Sequence, residues 1–276
     1  MLCDKWNDCL RRLLDGELAF PEHEWTRSGC HRDGFVPTPT FGLPVWKGDR
    51  EPVRLLVNAD FGMGDTLQFY RFIEEAKERV AGLHLLCDED FGGLFECVSE
   101  PPECDKVINM MCLPGVLGVK AVYGKPYLKA DPVRLGGFNV GTCWAGNPFN
   151  GRDAVRSAPE GLDVTLPPGP NYLSLDKLYG PRPGEADCRP MMKDWKATAS
   201  LVAGMDLVVS VDTAVAHLAG ALGVPVWNVV SVTDPDWRWG REGDSTPWYD
   251  SMTVIRNRDW AETISEVKRR IRKLSA

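Results

Sequence analysis

Four segments of this chain carry residue types suited to an anionic or polyhydroxylated ligand. The first is FGMGD, Phe61 to Asp65, between an apolar run at 53–58 and a helical pattern beginning at Thr66. Glycine lets the backbone turn tightly and approach a ligand closely, so Gly62, Met63 and Gly64 read as a strand-to-helix turn. Asp65 stands at or near the helix start. There it is either an N-cap that accepts from the next turn's amides or a general base. The dinucleotide fingerprint is excluded, because its third glycine is replaced by Leu67.

The second segment is SVDTAVAH, Ser210 to His217. A strand ends, and Asp212, Thr213 and Ala214 open a helix of small residues. Free amides and the helix dipole make such a start a place for a diphosphate. His217, one turn in, is either a site residue or a core histidine bonded to its surroundings. The third segment is WAGNP, 144–148, followed by Asp153, Arg156 and Ser157. Asn147 and Arg156 have the chemistry to reach phosphate or sugar oxygens, or they belong to an ordinary loop. The fourth is DWRW, 236–239, with PWY at 247–249. There Trp237 and Arg238 suit stacking on a base or packing at a domain joint.

These segments need a frame. Short apolar runs at 53–58, 83–87 and 106–110 read as strands, with a helix from Thr66 to Val80 between the first two. The pattern restarts with strands at 138–144 and 171–175 and a helix at 195–204. A strand at 207–211, a helix at 213–222 and strands at 225–230 and 253–255 follow. A helix at 261–274 closes the chain, with Ile264, Val267, Ile271 and Leu274 as its stripe. Such alternation implies parallel sheets with crossover helices, an α/β class. Two halves are expected, 1–136 and 137–276, hinged near Gly136 and Gly137. Leu2, Trp6, Leu10, Leu13 and Leu14 suggest an amphipathic first helix, and 15–52 reads as an irregular connection.

Composition narrows the classes. The 276 residues suit one large domain or two ordinary ones. A net charge of −7 argues against a general nucleic-acid binder, which must neutralise phosphates. The basic run from Arg256 to Lys273 is ordinary for a helix C-terminus. No stretch is long and apolar enough to span a membrane, and charges through Met1–Leu14 leave no signal peptide, so a cytoplasmic location is expected. The 9 cysteines, odd in number and without a Cys-x-x-Cys pair, read as reduced thiols. No metal site is expected. The Asp-x-Asp matches at Asp88–Asp90 and Asp234–Asp236 read as surface or structural acids.

Taken in order, the four segments resemble the catalytic region of bacterial tetratricopeptide-repeat glycosyltransferases. These group with the heptosyltransferase-like and O-GlcNAc-transferase-like enzymes of the GT-B fold. The resemblance rests on FGMGDTLQFYRF at 61–72, WAGNP with Asp153, Arg156 and Ser157, VSVDTAVAHLAGALG at 209–223, and DWRW with PWY. Phe20, Pro21, Trp25, Pro44 and Trp46 fit its lead-in. It spans roughly residues 20–275, without the repeats.

The resemblance implies two Rossmann-like domains facing across a cleft, with the acceptor on the N-terminal one and the donor on the C-terminal one. It implies inverting transfer from a UDP-, ADP-, GDP- or dTDP-linked sugar to a glycan, a protein or a modified base, with no cofactor or metal. Asp65 becomes the base. Asn147, Arg156, Asp212, Thr213, Ala214 and His217 become donor residues. Gly62, Met63, Gly64, Gln68, Asn150, Trp237 and Arg238 become acceptor or cleft residues. The chain departs from the family at Asp60 and Phe61, where Glu-Gln is usual, and at Asn150, where His is frequent. A non-catalytic nucleotide-sugar-binding module is the rival from another class.

Overall fold

A computed structural model describes residues 40–274, together with Arg12, Gly29–His31 and Gly34–Val36. The expected helix over 2–14, Arg12 apart, and the lead-in residues Phe20, Pro21 and Trp25 lie outside the described residues. The chain divides into two units, Met1–Val122 and Tyr123–Ala276, where the sequence placed the boundary at 136/137. The segment before that expected hinge is bonded to the second unit. Tyr127 and Leu128 donate to the Ala221 carbonyl, each at 3.0 Å, and Val133 donates to Ser200 at 2.9 Å.

In the first unit, β1 (Gly29–His31) and β2 (Gly34–Val36) form an antiparallel pair, so the stretch 15–52 is not wholly irregular. Three parallel strands follow: β3 (Glu51–Asn58), β4 (Val80–Leu86) and β5 (Lys106–Asn109), in the order β4-β3-β5. Leu55, Leu56 and Val57 of the central strand are fully buried. Chain 44–46 runs along β5, with the Trp46 amide donating to the Val107 carbonyl at 2.9 Å. The single helix expected over 66–80 is two short ones, α1 (Met63–Phe69) and α2 (Ile73–Lys77), joined by a 3-10 turn at Tyr70–Phe72. The aromatic positions explain the break. Tyr70 stacks on Phe95 at 4.3 Å between ring centroids, and Val80 leaves the helix to pair with Glu51. A further helix, α3 (Leu113–Leu117), ends on left-handed Gly118.

The second unit holds a six-stranded, all-parallel sheet. Its strands are β6 (Asn139–Cys143), β7 (Asn171–Ser174), β8 (Ala186–Asp187), β9 (Leu207–Val211), β10 (Val226–Ser231) and β11 (Met252–Asn257). The order is β11-β10-β9-β6-β7-β8. Counted from β6, that is the doubly wound order 3-2-1-4-5-6. Its helices are a single turn α4 (Asp153–Arg156), α5 (Trp195–Ala203), α6 (Ala214–Leu222) and α7 (Trp260–Leu274). Alternation along the strands sends Val140, Val209, Val211, Val229 and Ile255 to one face. They meet Ile264, Val267 and Ile271 of α7 in one buried cluster. The Asp194 carboxylate caps α5 through the Ala197 amide at 2.7 Å.

Strand order determines where each sheet opens. In the second unit the chain leaves β6 toward β7 and leaves β9 toward β10, in opposite directions. The loops after these adjacent strands therefore diverge, which leaves a crevice at their carboxyl ends. In the first unit β3 and β5 flank the corresponding point.

Candidate functional site

At the first unit's strand ends, Asn58 closes β3 and Gly62 begins α1. Gly62, not Asp65, is the N-cap. Asp65 occupies the third helical position, half-buried. A Cβ on Gly62 would lie 3.2 Å from Asp65 Oδ2, so the glycine leaves that carboxylate room. A carboxylate within the first turn of a helix is favoured by the helix dipole. Met63 and Gly64 are half-buried, whereas Gln68 is fully buried beneath them. Asp60 is a residue that the motif reading placed only as a departure. Its carboxylate accepts from Asn109 Nδ2 at 2.8 Å, which links the ends of β3 and β5.

In the second unit, the diverging loops are those at 144–157 and 212–213, with 232–240 beside them. Thr213 is the N-cap of α6 in extended backbone, but its side chain makes no capping bond. Its Oγ1 instead lies 3.0 Å from Ser210 Oγ and 3.7 Å from Cys143 Sγ. Cys143 and Ser210 are register partners on adjacent strands, so both present their side chains to the same face. Burial pushes the Cys143 thiol up to about 12, which leaves it an inert neighbour. Thr213 therefore does not cap the first turn of α6, at the point where strand order opens the sheet.

Charged residues surround that turn. Arg156 donates to the Asp212 carbonyl at 3.0 Å and pairs with Asp153 at 3.3 Å. It also packs on Gly146, where any Cβ would collide with its guanidinium. Ser157 Oγ donates to Asp153 at 2.7 Å and accepts from the Gly146 amide at 2.8 Å. Asn147 and Asn150 are exposed, and their side chains shape the loop by accepting from the Phe149 and Arg152 amides. Arg152 was not signalled by any motif. It pairs with Asp234 at 3.1 Å and Asp236 at 2.6 Å, and it also donates to the Asp234 carbonyl. Asp236 in turn holds the buried Arg238 at 2.9 Å, and Arg238 lies over the Trp237 ring at 4.2 Å. Although burial alone would raise the Asp236 carboxyl, Arg238 and Arg152 hold it below its ordinary value. The acids at 234 and 236 thus hold Arg152, and Asp236 also Arg238, whereas Asp88 caps its own turn through the Asp90 amide at 2.9 Å.

His217 lies deeper than a ligand-facing residue would. It is buried, and its Nδ1 stands 2.8 Å from Tyr249 Oη, with Trp239 at 5.3 Å between centroids. Gly220, a turn further on, lets Tyr249 against the helix, since a Cβ there would lie 2.5 Å from that ring. Trp237 packs edge-on against Trp248 at 5.6 Å. The structure therefore gathers Asn147, Arg156, Asp212, Thr213, Ala214 and Arg238 around one strand-end region. It assigns His217 to the aromatic core beneath. The described cysteines 87, 97, 104, 112, 143 and 188 are free thiols.

Residues 193–274, from before α5 to the end of α7, match the glycosyltransferase family 9 (heptosyltransferase) model. The segment 212–217 falls inside that match. No curated protein matches the chain. Among solved structures, the chain is similar to the iron-containing dodecameric glycosyltransferase TibC from enterotoxigenic E. coli. The two share 15% identity, with 84% of this chain and 70% of that one covered, at a TM-score of 0.50. A structure of heptosyltransferase TibC in complex with ADP-D-beta-D-heptose gives 13% identity, 82% and 67% coverage, and a TM-score of 0.51. For E. coli heptosyltransferase WaaC the values are 16%, 80% and 99%, and 0.48. At these identities the likeness to TibC is one of fold. Among the described residues no group of three or more His, Cys, Asp or Glu side chains is placed to hold a metal ion. No helix among them is long and apolar enough to cross a membrane.

Proposed function

We propose that this chain, a glycosyltransferase by its family 9 segment, moves a sugar from a nucleotide diphosphate to an acceptor hydroxyl, with inversion and without a metal ion. The observation that supports this most is the uncapped first turn of α6 at the strand-order crevice, because Thr213 turns its hydroxyl back to Ser210. Amides at Ala214 and beyond, with the helix dipole, then receive the diphosphate and stabilise it as it leaves. Asp65 takes the acceptor's proton as its oxygen attacks the anomeric carbon. A single displacement of this kind inverts the anomeric configuration. The GT-B allocation, with the acceptor on the first unit and the donor on the second, and a cytoplasmic location are parts of the same proposal.

Arg156 and Arg238 act in it by fixing the loops that frame α6. Asn147 and Asn150 contribute by shaping the exposed loop tip at 147–150. The ADP-heptose bound by TibC makes ADP-linked heptose the first donor to try, beside UDP-, GDP- and dTDP-sugars.

Release of nucleoside diphosphate from such a panel, with glycan and protein acceptors, tests the proposal. One donor class should turn over, the rate should survive excess EDTA, and the product should carry the inverted anomeric configuration. Loss of turnover on chelation, restored by Mn²⁺ or Mg²⁺, would contradict the metal-free mechanism. Retention of configuration would contradict direct displacement.

A further inference from the structure

Every arginine beside the start of α6 is engaged before any ligand arrives. Arg156 is held by Asp153 and the Asp212 carbonyl, Arg152 by Asp234 and Asp236, and Arg238 by Asp236. The Asp212 carboxylate is the exception. It is half-buried, and it makes no hydrogen bond or ion pair with any described residue. Among the described residues of this cluster, three arginines thus stand against four aspartates, a net of −1 when all are ionised. A nucleotide sugar would bring two more negative charges to the same place. The positive end of α6 favours an anion, and an ionised Asp212 competes for it with the diphosphate.

We propose that binding of the donor's diphosphate is linked to uptake of a proton by Asp212, which meets the ligand as a neutral carboxylic acid. This rests on the donor site proposed above. It extends that proposal by giving the site a charge-compensating residue that needs neither a metal nor a further arginine.

The free protein already leans this way. Burial first, and then the charge of Asp236, push the Asp212 carboxyl up to about 6, against the pull of Arg238, Arg156 and Arg152. The charged groups around it come from the loops on either side. They are Arg152 and Arg156 after β6, with Asp153 paired to Arg156, and Asp236 and Arg238 after β10, with Asp234 paired to Arg152. Asp236 is held ionised by two arginines, and His217 is bonded to Tyr249. Asp153 and Asp234 are paired with Arg156 and Arg152, so among the carboxylates of this cluster that of Asp212 is the one without an arginine in contact. A carboxylic acid in that position can also donate a hydrogen bond, which a carboxylate cannot.

The sign follows from linkage. The free carboxyl is largely protonated at pH 5, so little uptake accompanies binding there. Above about pH 6.5 the free form is ionised, so binding takes up nearly one proton and affinity falls by up to about tenfold per pH unit.

Isothermal titration of the full chain tests this with ADP-heptose, UDP-glucose, GDP-mannose and dTDP-glucose as probes, since their phosphate diesters do not titrate near neutrality. Heats measured at pH 7.5 in buffers of different ionisation enthalpy should reveal proton uptake for the probe that binds, and at pH 5 they should not. In Asp212→Asn, affinity should be flat with pH and at pH 8 at least equal to that of the wild type. Binding with no buffer-dependent heat would overturn the proton linkage while leaving the donor site intact. Loss of binding in a folded Asp212→Asn at every pH would show an ionised Asp212 serving the ligand directly, which also overturns it. Absence of binding for all four probes would remove the donor site itself.

Discussion

Asp65→Asn is expected to lower turnover at least about 10²-fold, within the range of general-base contributions. The loss should fall on kcat, with donor affinity close to wild type, because a base acts in the transition state and not in the ground state. The structure separates this from a folding effect. Gly62 is the N-cap, so Asp65 is not the capping residue, and Asn keeps the size and the polar atoms of its side chain. What Asn removes is a charge in the first turn, a stability cost of about 0.3–1 kcal/mol. Steady-state kinetics, donor titration and thermal melting on Asp65→Asn should therefore show a large kinetic loss on an almost intact protein. Near-wild-type turnover would end the assignment of Asp65 as the base.

The second large effect is expected from Ala214→Asp. Ala214 is the first helical residue of α6, and no side chain caps that turn. A carboxylate there suits the helix dipole, so the melting temperature should hold or rise. The same carboxylate occupies the positive end that a diphosphate needs. Repulsion between like charges about 5 Å apart, at an effective dielectric near 20, is on the order of 3 kcal/mol, or roughly 10²-fold in affinity. A variant that is at least as stable and yet binds the donor about 10²-fold more weakly cannot be explained by misfolding. Unchanged donor affinity in it would move the phosphates away from α6.

The parts of the fold legible in the sequence were those governed by local patterning. β9 is bounded as expected, at Leu207–Val211, because a strand apolar but for Ser210, set between Asp206 and Asp212, leaves little freedom. The stripe of α7 likewise requires a helix, with Ile264, Val267 and Ile271 all buried. The helix expected through Val80 failed for a non-local reason. Val80 continues the apolar face, but its backbone is claimed by Glu51 on β3. The short α3 carries Pro114 and Gly115, which mask it among turn residues.

In the candidate site, the two strand-to-helix junctions were visible because glycines and small residues mark them. The charge network was not. Arg152 meets Asp234 and Asp236 across 82 and 84 residues, and only the sheet brings those loops together. His217 was drawn toward the ligand by its spacing from Thr213. Its fate is set by Tyr249, 32 residues later, which holds it in the core. The role of Thr213 shifted in the same way. Its hydroxyl meets Ser210 and makes no capping bond to the helix start.

Titration of nucleotide sugars into the wild-type chain and into Ala214→Asp tests the central claim most directly. The expected result is saturable binding of one nucleotide-sugar class to the wild type, weakened about 10²-fold in a variant whose melting temperature is unchanged or higher. Binding of equal strength to both proteins, or of no nucleotide sugar to the wild type, would contradict the assignment of a donor diphosphate to the start of α6.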